Sequence, residues 1–150
     1  IYSMESKEPI VKSQDNPVES FIEAIRKGDL GKVKQDIDTG IIKADGVLKD
    51  NATPLFFAVA NNKQNIVEYL VKEKKANVNY THPSGLTPLM IASKRGHINL
   101  VKYLMNEAKA NSNVCDTHGL NALYHATANG HLDVVKFFVE EQENFDPAIE

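Results

Sequence analysis

The sequence predicts an all-α repeat solenoid, with stacked helix–turn–helix units joined by projecting β-turn loops. Three observations carry that prediction. Thr53-Pro54-Leu55 recurs as Thr87-Pro88-Leu89 34 residues on, and Asn121-Ala122-Leu123 follows after the same interval. The register holds within each unit: Ala58, Ala92 and Ala126 share one slot, Val67, Val101 and Val135 a second, and Leu70, Leu104 and Phe138 a third. Ala24 and Val33 carry the same phase one unit upstream. Finally, Gly28, Asn62, Gly96 and Gly130 fall at one position between two helical stretches, where a left-handed residue ends the first helix.

Composition sets the outer bounds. The 150 residues are 42% hydrophobic and 25% charged, enough apolar material for one packed core. A net charge of -3 gives no basic field to hold nucleic acid or an anionic membrane. The single cysteine, Cys115, excludes an intrachain disulfide framework and points to a reducing compartment. No apolar run reaches the roughly 18–20 residues of a membrane span, and Ile1-Tyr2-Ser3-Met4-Glu5 does not open a secretory signal. The expectation is an intracellular, monomeric domain of the cytoplasm or also the nucleus. Beginning at Ile1, the chain reads as a fragment or as carrying foreign residues ahead of Met4.

In chain order, residues 1–17 are polar, contain Pro9 and Pro17, and read as a loose tail. Residues 18–47 read as a degenerate N-terminal cap unit without a Thr-Pro start. In it Phe21, Ile22, Ala24, Ile25, Leu30, Val33 and Ile37 face the next unit, while Lys27, Lys32, Lys34 and Asp36 stay wet. Thr39 to Asp50 is a longer connection broken by Gly40 and Gly46. Full units follow at 48–81, 82–115 and 116–150. In each, Thr53, Thr87 or Asn121 caps an inner helix, and Pro54 and Pro88 occupy the first helical position, where a missing N–H costs nothing. The outer helices show helical apolar spacing: Ile66, Val67, Leu70 and Val71; Leu100, Val101, Leu104 and Met105; Val134, Val135, Phe138 and Val139. Ala76-Asn77-Val78-Asn79 and Ala110-Asn111-Ser112-Asn113 then lead into turns at Pro83-Ser84-Gly85 and Thr117-His118-Gly119. At the far end, Phe137, Phe138 and Val139 stay apolar and Asp146-Pro147-Ala148 resembles the start of another turn, so the native polypeptide is expected to continue.

Gly85-Leu86-Thr87-Pro88-Leu89, Ala92, Gly96-His97, Val101 and Ala110-Asn111-Ser112-Asn113, with their equivalents one period away, resemble the ankyrin-repeat family over roughly residues 18 to 146. Three departures stand out. Lys75 and Lys109 lengthen the unit beyond the usual repeat; Phe56, Met90 and Tyr124 replace the family's histidine after Thr-Pro-Leu; and Asn51 stands where Gly85 and Gly119 stand. That histidine normally ties neighbouring repeats, so apolar and aromatic contacts are expected in its place.

Reactive chemistry finds little support. Cys115 with His118 or His125 is the one thiol–imidazole combination, and the Cys115–His118 pair is merely local in sequence. Cys115, His118 and His131 lack the paired short spacings of structural zinc. His97 and His131 recur at one slot, which argues for a structural role in each unit. The eight glycines punctuate helix ends and turns rather than forming a phosphate loop. Asn51-Ala52-Thr53 and Asn79-Tyr80-Thr81 match glycan acceptors by chance, Thr53 already being needed as a cap. No cofactor and no metal are expected.

The family resemblance implies a non-catalytic module that binds a partner protein or peptide across its concave face, at the turn tips and exposed ends of the inner helices. Carried onto this sequence, those positions are Lys49, Asp50, Ala52 and Asn61; Pro83, Ser84, Leu86, Lys94 and Arg95; and Thr117, His118, Leu120 and Asn129. Leu86 and Leu120 either anchor the partner or pack on the neighbouring turn. Net charges of -2 over residues 1–47, +5 over 48–115 and -6 over 116–150 either reflect wet helix faces or set Lys94 and Arg95 in a groove for acidic segments. The alternative is a regulatory segment of a larger enzyme whose catalytic domain lies outside this chain; direct catalysis around Cys115 and His118 is a third.

Overall fold

The computed structural model describes residues 16–143. Among them the regular structure is helical, with no strand. The first unit pairs α1 (Pro17–Lys27) with α2 (Leu30–Asp38), and the second pairs α3 (Pro54–Ala60) with α4 (Gln64–Glu68). The third holds α5 (Pro88–Arg95) and α6 (Ile98–Asn106), the fourth α7 (Ala122–Ala128) and α8 (Leu132–Glu143). Inner helices pack in sequence, α1 on α3, α3 on α5 and α5 on α7, while outer helix α2 meets α4 and α6 meets α8. One continuous apolar core lies between the two layers, running from Phe21 to Phe138. Ala58, Ala92 and Ala126 are buried in it, each small enough to let the outer helix close on the inner one.

The caps follow the expected chemistry. Side-chain oxygens of Thr53, Thr87 and Asn121 accept the backbone N–H of Phe56, Met90 and Tyr124 at 3.3, 3.3 and 2.9 Å. The first unit corrects the sequence reading. Asn16 accepts the N–H groups of Val18 and Glu19, and Pro17 takes the first turn of α1. Pro17 is therefore helical rather than part of a tail, and the cap unit does have a polar residue followed by proline, set ahead of the periodic slot. Residues 1–15, with Pro9, and the Asp146-Pro147-Ala148 motif lie outside the described residues. Asp36, expected to stay wet, is buried; Lys32 Nζ reaches in to bind it at 2.9 Å, four residues back on the same helix.

Every inner helix ends in the left-handed residue expected: φ is 79° at Gly28, 57° at Asn62, 73° at Gly96 and 74° at Gly130. The two inserted lysines are also left-handed, with φ 55° at Lys75 and 58° at Lys109. Outer helix α4 opens into a π-helical turn over Tyr69–Glu73, so that the N–H of Lys74 reaches the carbonyl of Tyr69 and that of Ala76 reaches Leu70. After α6 the N–H of Ala108 reaches Tyr103 and that of Ala110 reaches Leu104. Around Lys75 the extra residue is thus taken up in a widened last helical turn. Asn51 keeps the geometry of the glycine it replaces, at φ 60°, and Asp50 joins it at φ 59°.

Candidate functional site

The projecting turns form a row of fingers, each held by the next. Asp45 Oδ1 accepts the N–H of Asn77 at 3.0 Å, and one period later Asn79 Oδ1 accepts the N–H of Asn111 at 2.9 Å. Asn77 and Asn111 in turn accept the N–H groups of Asn79 and Asn113, giving an asparagine ladder at the base of the fingers. Higher up, Tyr80 Oη donates to the carbonyl of Asn51 at 2.6 Å, and His82 Nε2 donates to that of Asp50 at 3.0 Å. The N–H of Thr117 donates to the carbonyl of Ser84 at 3.2 Å. Gly85 makes this last approach possible, because a Cβ there would lie 2.6 Å from backbone atoms of Asp116 and Thr117.

The residues replacing the family histidine do different work. Phe56 is buried, stacked on His82 at 5.7 Å between ring centroids and edge-on to Tyr80 at 6.4 Å. Met90 is buried, 1% exposed, whereas Tyr124 is 51% exposed. Aromatic and apolar contacts thus replace the histidine at Phe56 and Met90 but not at Tyr124. In the last unit a histidine acts one position later. His125 Nε2 donates to Asp116 Oδ2 at 2.9 Å, and Asp116 Oδ1 also accepts the N–H groups of His118 and Leu120. The Leu120 N–H, first among these contacts, holds the Asp116 carboxyl below the usual range. Sequence spacing did not disclose this pair, since Asp116 occupies the slot of His82 and His125 that of Ile91.

Of the recurrent histidines, His131 ties its loop to the preceding unit. His131 Nε2 donates to the carbonyl of Lys94 at 2.8 Å, and Gly96 leaves room for its ring, into which a Cβ would run. One unit earlier Arg95 Nη1 occupies the carbonyl of Ala60 at 3.2 Å, and burial pushes the neighbouring His97 imidazole down from its ordinary pKa. On the outer layer Tyr69 Oη donates to Asp38 at 3.1 Å, and Lys74 Nζ pairs with the same carboxylate at 2.8 Å. Burial, reinforced by Asp38, pushes the Tyr69 phenol up to about 12.

The residues expected to meet a partner divide into two groups. Ala52 is 4% exposed and belongs to the core, which removes it from any recognition surface. Leu86 is half-buried and packed against the core, and Leu120 is half-buried as well. Lys49 pairs with Glu19 at 3.1 Å, Ser84 Oγ lies 2.8 Å from His82 Nδ1, and Asp50 lends its carbonyl to His82. Asn61 and Asn129 donate their side-chain amides to the carbonyls of Phe57 and His125, closing the ends of α3 and α7. Arg95 is engaged at Ala60. Pro83, Lys94, Thr117 and His118 are exposed, on adjacent fingers and the end of α5.

Cys115 is exposed, and the imidazole that reaches the Asp116 carboxylate of the third finger is His125 of α7, not His118. Among the described residues no three His, Cys, Asp or Glu side chains converge as metal ligands, and no helix is long and apolar enough to cross a membrane.

Family models match most of this architecture. Residues 74–149 match a model of ankyrin repeats in three copies, and residues 50–83 match the single ankyrin repeat. Among curated proteins, the chain is 35% identical over 79 residues to palmitoyltransferase AKR1 of Naumovozyma castellii and 33% identical over 81 residues to palmitoyltransferase AKR1 of Debaryomyces hansenii. The aligned stretches are 47% and 51% of this chain and 10% of each relative, so the chain spans about a tenth of the proteins it matches.

Proposed function

The chain belongs to the ankyrin-repeat family, and we propose that it works as a non-catalytic module binding a partner protein or peptide along its fingers and inner-helix ends. The observation that carries this reading is a division of labour within one surface. Ala52, Leu86, Arg95, Asn61 and Asn129 serve the stack, while Pro83, Lys94, Thr117 and His118 sit exposed beside them with no part in the caps or the core. A rigid scaffold presenting side chains it does not need for folding is suited to recognition. Lys94 favours an acidic segment there and acts chiefly on association rate and salt dependence. The module is monomeric in this reading and works in the cytoplasm.

The test is affinity capture and titration with the chain, compared with a Lys94→Glu, Thr117→Ala, His118→Ala variant. The variant is expected to bind at least about tenfold more weakly, on the order of 1.4 kcal/mol, with an unchanged melting midpoint. Retained affinity would move recognition to another face. Leu86 and Arg95 are left intact in this variant, because substituting either also disturbs packing or the Ala60 contact.

A second reading is supported by the relatives. Both are named palmitoyltransferases, and the matched stretch is a tenth of each. In that reading the chain is the ankyrin segment of a larger enzyme, recognising a substrate or regulator while chemistry proceeds in a separate domain. Sequencing the uninterrupted gene decides between the two: a transferase domain in the same reading frame supports the second, and its absence leaves the first.

A further inference from the structure

The stack ends differently at its two faces, and the C-terminal face is shaped like an interface. At several slots the fourth unit exposes what the third unit covers more fully. Met90 is covered while Tyr124, at the same slot, is 51% exposed; Leu89 and Val101 are buried while Leu123 and Val135 are half-buried; and Leu132 is 77% exposed where Ile98 is half-buried. Val139 is exposed beside them. A cleft of about 430 Å³ opens on this face, lined by Met105, Asn113, Leu123 and Phe138 among others.

The backbone carries the same signature. Gly85 and Gly96, left-handed at φ 88° and 73°, also leave room for Thr117 and His131 of the next unit. Gly119 and Gly130 repeat both positions with left-handed φ of 78° and 74°, yet a Cβ on either would meet nothing within 4 Å among the described residues. Asn113 stands where Asn79 accepts an N–H from the following unit, and Ala128 stands where Lys94 offers its carbonyl to His131. Apolar area, turn clearance and acceptor positions thus repeat the template of the junction between the third and fourth units. An exposed apolar patch of this kind calls for a cover.

We propose that this face is a stacking surface for a fifth helix-pair unit of the same 34-residue register, carried by the same polypeptide. A second copy of the chain docked head to tail does not fit as the occupant. The opposite face presents a cleft lined by Glu19, Glu23, Lys27, Asp29 and Lys32, and docking it there would press those charges against Tyr124 and Leu132. The lengths of the relatives, about ten times the matched stretch, leave room for the unit in cis. The inference does not depend on which face binds a partner.

Hydrogen exchange on the polypeptide encoded by the uninterrupted gene, alongside the 150-residue chain, tests it. Peptides from α7 and α8 should exchange at least about tenfold more slowly in the longer protein, with α3 little changed. Leu132→Glu should lower the melting midpoint of the longer protein and leave that of the 150-residue chain within about a degree. Equal exchange of α7 and α8 in both proteins, or a gene that ends at Glu150, overturns the proposal. Protection that rises with concentration in the 150-residue chain overturns it too, by showing a second copy on this face.

Discussion

The junction between the second and third units and the junction between the third and fourth carry out one task with different side chains. In the earlier one, Phe56 is clasped by His82 and Tyr80, which also hold the carbonyls of the first finger, and Arg95 takes the carbonyl of Ala60. In the later one the contact is closer to the backbone: Thr117 donates directly to Ser84, Gly85 and Gly96 are cut back to let their neighbours in, and His131 takes the carbonyl of Lys94. At both junctions the stack meets acceptors at the ends of inner helix and finger from the next unit, through bonds at exposed positions that each contribute modestly. It does not demand a particular donor. That tolerance explains how the chain dispenses with the histidine usual after Thr-Pro-Leu.

The contrast can be broken from either side. The largest effect is expected from Phe56→Ala, which empties a buried aromatic site at the earlier junction and should lower unfolding free energy by about 3 kcal/mol or more in urea titration. Gly85→Ala comes next. It combines left-handed strain of roughly 1–2 kcal/mol with a collision against backbone that has no side-chain freedom to yield. Gly119→Ala carries the strain without the collision, so in the 150-residue chain its loss should stay near 1 kcal/mol. Equal losses for the two glycines would show that the finger contact at Gly85 contributes nothing beyond φ.

Tyr80→Phe removes one hydrogen bond to Asn51 and keeps the ring against Phe56, so about 1 kcal/mol is expected, together with faster amide exchange in the first finger. Asp116→Asn should have the smallest effect and a distinctive pH dependence. Because the folded carboxyl titrates below its unfolded value of roughly 3.9, its contribution is present above that pH and disappears as pH falls through the folded pKa. The difference in melting midpoint between wild type and variant should therefore hold from pH 7 to 5 and close below about pH 3.9. A constant difference down to pH 2 would remove the charge from the account.

Much of this could be read from residues alone. Thr53, Thr87 and Asn121 announced their helix starts, and Gly28, Asn62, Gly96 and Gly130 their ends, because caps and left-handed turns are settled within a few residues of chain. Lys75 and Lys109 were visible as an insertion, but the π-helical turn that absorbs one of them was not, since nothing local separates a widened turn from a longer loop. The Asn16-Pro17 start lies ahead of the 34-residue slot, so periodicity alone does not point to it. For the recognition surface, spacing located the positions, but exposure then set Ala52 apart from Lys94 and His118.

By itself the sequence determined a four-unit stack of capped helix pairs, its register and the slots that must be small or left-handed. Those follow from short-range backbone sterics and from apolar periodicity, which repeat with the chain. Only the tertiary structure decided that Phe56 rests on His82, that Asp116 claims His125, that Asp36 is buried over Lys32, and that Tyr124 and Leu132 lie open where Met90 is closed. Each of these depends on which atoms of the next unit arrive at a given slot. Identical periodicity can therefore yield a sealed junction at one slot and an open face at the next.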